Sequence, residues 1–90
     1  MITIEQIKAA RLFLHLDQAE LARLAEVSLP TVQRVENPRF GPERSSVRIV
    51  QSIKKALEDA GVEFIAPGDG KGEGLRLTSA TSEHAESNRA

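Results

Sequence analysis

The chain has 90 residues, 28% of them charged, a formal net charge of −1 and no cysteine. That length accommodates one domain, which buries only about 60–65% of its unfolded surface and is therefore marginal in stability. Disulfides and thiolate metal sites are excluded. The lack of any long apolar run or leader pattern is what a soluble cytoplasmic protein with no membrane span would have.

The first helix is expected over residues 4–14. Thr3 stands as N-cap with Gln6 at the reciprocal capping-box position, and Ile4, Ile7, Ala10 and Leu14 recur at helical spacing. Two short helical patterns follow within residues 18–36, QAELARLAEVSLPTVQRVE. Asp17, three residues before Glu20, opens one of them, whose inner face is Leu21, Ala22 and Ala25. Ser28 opens the other, with Pro30 in its first turn, where a missing N–H costs nothing. Val32 and Val35 form its inner face; Ser28, Leu29, Pro30, Thr31, Gln33 and Arg34 are left facing out. A helix this short, with such an outer face, suits a groove better than a core, which is the layout of a DNA-binding helix-turn-helix.

A polar loop over 37–45 comes next, broken by Pro38, Gly41 and Pro42. A fourth helix is predicted over 46–60, capped by Gly61, with the apolar stripe Val47, Val50, Ile53 and Leu57. Residues 62–65 and 75–78 then read as strands. Between them APGDGKGEG is too glycine-rich for regular structure, so a loose loop is expected there. An isolated ribbon of two strands is marginal in water, so it must pack on the helices or pair with a second copy. The last residues, 79–90, read as a flexible polar tail.

The stretch 18–36 resembles the Cro/repressor (XRE-type) helix-turn-helix family through Gln18, Leu21, Ala22, Val27, Ser28, Val32 and Glu36, at that family's spacing. The resemblance begins at Arg11 and continues through the fourth helix, about two thirds of the chain. ALEDAGVEFI, with GLRL downstream, is similar to a group of short bacterial regulators of that family that carry a C-terminal strand pair. The fold implied is mainly α. A four-helix repressor-like DNA-binding domain over 1–61 precedes a β-strand pair over 62–78 that is the expected dimerisation element. One departure stands out. The family usually has Gly at the turn between the paired helices, where a left-handed conformation is needed, and here that place holds Glu26. A side chain there costs on the order of 1 kcal/mol.

The resemblance implies a sequence-specific transcriptional regulator, a dimeric repressor reading an inverted repeat in double-stranded DNA through the helix 28–36. Leu29, Pro30, Gln33 and Arg34 are the expected base contacts. Arg34 can present a bidentate fork to guanine O6 and N7, and Leu29 suits a thymine methyl group. Gln18, Ser28, Thr31, Asn37, Arg39 and Arg44 are the expected backbone contacts, Gln18 at a helix N-terminus whose dipole favours phosphate. Arg11 and Glu36 match the family's structural ion pair. Val62, Phe64, Ile65, Leu75 and Leu77 are the expected homodimer contacts.

Overall charge argues weakly against DNA, since affinity comes mainly from phosphate neutralisation. Its distribution softens the objection. Residues 1–60 hold nine basic and eight acidic side chains, residues 61–90 three and five. A competing reading is an antitoxin or antiactivator acting mainly by protein–protein interaction, with a toxin or an activator as its partner. No cofactor is implied. His15 and His84 lack the companions a metal site needs, and residues 68–74 lack the Lys-Ser/Thr ending of a phosphate loop. No nucleophile–base pair stands out, so an enzyme is not expected.

Overall fold

The computed structural model describes residues 1–78; the tail expected over 79–90, His84 included, lies outside the described residues. The chain is mainly α, four helices followed by an antiparallel strand pair: α1 (Ile4–Phe13), α2 (Gln18–Ala25), α3 (Leu29–Val35), α4 (Val47–Ala60), β1 (Val62–Ile65) and β2 (Gly74–Leu77). A single 3-10 turn over Pro42–Arg44 interrupts the loop before α4. Among the described residues no helix is long and apolar enough to cross a membrane.

Capping chemistry sets the helix starts. Thr3 and Gln6 form one reciprocal capping box, Asp17 and Glu20 a second, while Ser28 and Ser46 cap α3 and α4 singly. The ends of α1 and α2 are alike. His15 (φ 57°) and Glu26 (φ 57°) are both left-handed. Leu16 N–H donates back to the Arg11 carbonyl at 2.9 Å, and Val27 N–H to the Ala22 carbonyl at 3.0 Å. These six-to-one bonds satisfy carbonyls that the helix ends would otherwise leave open. Glu26 therefore takes the expected backbone conformation without glycine; the same device at His15 was not foreseen.

The core joins all the elements. Ile7 of α1, Leu21 of α2, Val32 and Val35 of α3, Ile53 and Leu57 of α4 and Val62 of β1 are fully buried together. Val47 departs from the expected stripe and is 63% exposed. It sits in the first turn of α4, beside a groove bordered by Met1, Ile2 and Phe64, where the helix begins before the core does. Ala56 takes a buried place on the stripe instead.

The ribbon folds back on its own helices, β1 against α4 and β2 against α1. Val62 pairs with Leu77 and Phe64 with Leu75, which puts all four on one face of the pleat. Val62 is fully buried, and Phe64 and Leu75 are half-buried against the core, so these three side chains anchor the ribbon on its own helices. Glu63 and Arg76 pair across the opposite face at 2.8 Å, leaving Ile65 half-buried and Leu77 41% exposed. Gln6 adds a polar tie, its amide donating to the Gly74 carbonyl at 2.8 Å. The glycine-rich connection is more regular than expected. Gly68 and Lys71 exchange backbone hydrogen bonds of 3.0 and 2.8 Å around Asp69 (φ 51°) and Gly70 (φ 73°). Two successive positive φ values make this a two-residue type I′ turn, the Asp-Gly hairpin connection whose twist matches the flanking strands.

Candidate nucleic-acid interface

Helix α3 is seven residues long and is held by one face only. Val32 and Val35 are fully buried, whereas Leu29, Pro30, Gln33 and Arg34 are exposed. All four expected base-contacting residues therefore lie on the solvent side of one helix. Ser28 Oγ accepts from Thr31 N–H at 3.2 Å and lies 2.7 Å from Thr31 Oγ1. The two hydroxyls are occupied with each other and with the helix end, so their first role is to start α3.

Behind α3 stands a charged clamp. Arg11 donates to Glu36 through Nε at 2.8 Å and Nη2 at 2.9 Å, with Nη1 on the Leu16 carbonyl at 3.2 Å. The Glu36 side chain is 2% exposed, and Arg11 16%. Glu36 caps the C-terminus of α3, where the helix dipole disfavours a carboxylate. Its charge is held there by the fork from Arg11 and by Gln18 Nε2 at 2.9 Å. The hydrogen bond to Glu36, more than its charge or that of Asp17, drives the Arg11 pKa further above its already high ordinary value, against the opposing effect of burial. Gln18 thus has one amide N–H committed inside the chain, leaving the other and its backbone N–H at the start of α2 for an outside acceptor. The clamp ties α1, α2 and the end of α3 into one unit.

The loop after α3 is ordered by its own chemistry. Asn37 Oδ1 accepts from Arg39 N–H at 2.9 Å, and the Asn37 carbonyl from Phe40 N–H at 2.9 Å. Asn at the first position and Pro38 at the second are the residues this turn favours. Gly41 follows at φ 69°, with Ile4 so close that a Cβ would stand 3.3 Å from its Cδ1. Between these two fixed points Phe40 lies beneath Arg34, whose guanidinium carbon is 5.4 Å from the ring centroid. Sequence reasoning passed over Phe40, although an aromatic residue after Asn-Pro in an arginine-rich loop was visible as a signal. Arg48, one of the basic residues between Glu26 and Lys55 but not among the expected contacts, shares a shallow cleft with Glu26 and Ser46 beside the turn between α2 and α3.

Charge pairing sharpens the local balance. Lys54 and Lys55 are each matched one turn on, by Glu58 and Asp59. Among the described residues no carboxylate lies within ion-pair distance of Arg34, Arg39, Arg44 or Arg48, all of them exposed. From α3 to the first turn of α4, Glu36 is neutralised by Arg11 and only Glu43 remains as an unpaired acid. A chain of net charge −1 therefore carries a cationic excess along the segment from α3 to the first turn of α4. No three His, Asp or Glu side chains among the described residues cluster as a metal site. Comparison with known proteins finds no matching family model and no curated protein of significant sequence similarity.

Proposed function

We propose that the chain is a sequence-specific DNA-binding transcriptional regulator of the Cro/repressor type, acting as a homodimeric repressor in the cytoplasm and without catalytic activity. The observation that carries this reading is α3 itself. Two buried valines fasten a seven-residue helix whose other face presents Leu29, Pro30, Gln33 and Arg34, with three more unpaired arginines after it. A helix of that kind enters the major groove, and the cations flanking it take the phosphates. Two copies would read half-sites about one helical turn apart.

Selection of bound duplexes from a random pool tests the reading, followed by a salt titration on the selected duplex. The expected outcome is an inverted repeat, with log K falling linearly as log salt rises. A chain that enriches no sequence and shows no salt-dependent duplex affinity would overturn it. The protein-interaction reading, an antitoxin or antiactivator, draws support from the exposed apolar side chains Leu12, Phe13 and Leu24, for which duplex binding has no use. The two readings are compatible, because these side chains belong to α1 and α2 and not to α3.

A further inference from the structure

A long arginine on an exposed helix samples many rotamers, and freezing it on a base edge costs entropy. Arg34 is not in that position. Its guanidinium lies over the face of Phe40, 5.4 Å from the centroid, inside the ~6 Å range over which a ring attracts a cation. Phe40 is itself anchored on both sides. The Asn37–Pro38 turn folds it back toward α3, and the next residue, Gly41, is buried against Ile4. The backbone that carries the ring is therefore fixed without Arg34, while Phe40 itself is 41% exposed.

A cation–π contact draws on the positive charge and the ring face and uses up no N–H donor as a hydrogen bond. The guanidinium carries five such donors in one plane, so its bidentate edge remains available to guanine O6 and N7.

We propose that Phe40 is a positioning residue that presets Arg34 for reading guanine, which makes Phe40 a specificity determinant although it lies outside the recognition helix. This rests on the DNA-binding reading above. Lysine at position 34 would not reproduce the effect, because a point charge has no plane to stack and no fork to aim. Leu at position 40 would keep apolar bulk in the loop but supply no ring face.

The test uses the full chain, its Phe40→Leu and Phe40→Tyr variants, and the duplex that the wild type selects from a random pool. In the free protein the Arg34 Nε–H proton should be shifted upfield by the ring current, a shift kept in Phe40→Tyr and lost in Phe40→Leu. Thermal melts should match across the three. Phe40→Leu should weaken the selected duplex by about two- to fivefold for each half-site bound, the size of an exposed cation–π contact. It should leave a duplex with that guanine replaced unaffected, and Phe40→Tyr should restore the difference. Absence of the ring-current shift, or an equal loss on both duplexes, overturns the proposal. Failure of the wild type to select any duplex overturns the DNA reading instead; the two failures are distinguishable because the ring-current shift is measured without DNA.

Discussion

Arg11 holds Glu36 by two near-parallel hydrogen bonds of 2.8 and 2.9 Å, across 25 residues of sequence. The partners are unequal. Glu36 is almost wholly buried at a helix C-terminus, whereas Arg11 keeps some exposure and a second acceptor in the Leu16 carbonyl. Removing the arginine strands a buried charge; removing the charge on Glu36 strands very little. Arg11→Ala is therefore expected to cost about 3–5 kcal/mol, and Glu36→Gln only about 1–3 kcal/mol. In a domain of this size the first should lower Tm by about 12 °C or more. Equal melting temperatures for the two variants would show that burial of Glu36 does not set the cost.

Arg34 and the loop arginines should separate by the kind of loss. Arg34→Ala is expected to cost about 1–3 kcal/mol on the selected duplex and to relax preference at one base pair per half-site. Arg39→Ala or Arg44→Ala should weaken all duplexes alike. Either should also lower the salt slope by about one for each phosphate no longer neutralised, so by about two in a dimer. An unchanged selected sequence after Arg34→Ala would remove that residue from the reading face. A loss confined to one sequence after Arg39→Ala would mark a base or groove-shape contact instead.

The helices were legible in the sequence because capping boxes and 3.6-residue spacing are local signals, and both survive into the fold at Thr3, Asp17, Ser28 and Ser46. What escaped was decided by tertiary placement. The spacing of Val47 matches the stripe, but nothing in it reveals where the core ends. The Asp69–Gly70 turn was hidden by its glycine-rich flanks, although Asp-Gly is itself the type I′ signal. At the candidate interface, the outward residues of α3 followed from the period alone. The engagement of Gln18 by Glu36 and of Arg34 by Phe40 did not, since both join residues brought together only by a turn or a neighbouring helix.

Glu26 sits at φ 57° where glycine is free of strain. Glu26→Gly should stabilise the fold by about 0.5–1 kcal/mol, the relief of the left-handed conformation less the entropy that glycine adds to the unfolded chain. His15→Gly, at the same φ and in the same kind of helix end, should behave alike. Chemical denaturation of both variants checks this. A loss of stability in Glu26→Gly alone would mean that the carboxylate stabilises the turn beyond its backbone conformation.

The Glu63–Arg76 pair gives the ribbon a pH dependence. The hydrogen bond from Arg76, then its charge, holds the Glu63 carboxyl below its ordinary pKa. A depressed folded pKa stabilises above the unfolded value, and that contribution fades as pH falls through the folded one. The ribbon should therefore be unaffected through neutrality and loosen only in acid. Titration of Glu63 followed by NMR should give a midpoint below that of a free glutamate, moving back up in Arg76→Ala. A midpoint unmoved by that substitution would show the pair to be absent in solution.

The assembly expectation changes once the ribbon is seen to cover the core. Cutting the chain after Gly61 would remove Val62, which is fully buried, together with Phe64 and Leu75, which pack on the same cluster. Such a truncation is expected to unfold rather than to yield a folded monomer, so it cannot report on dimerisation. The informative positions are Leu77, 41% exposed at the end of β2, and Ile65, half-buried outside that cluster. If the strands join two copies, these side chains and the open strand edges carry the contact about a two-fold axis. Leu77→Asp should then leave the melt of the subunit within about 1 kcal/mol of wild type, as a substitution at a largely exposed site does. It should nonetheless sediment as a monomer and bind the inverted repeat weakly, since one subunit engages one half-site at a time. Ile65→Asp should follow the same pattern with a larger cost in stability. Should both variants stay dimeric and bind the full repeat at wild-type strength, the interface belongs to the helices, and the exposed side chains Leu12 and Phe13 of α1 become the next to test.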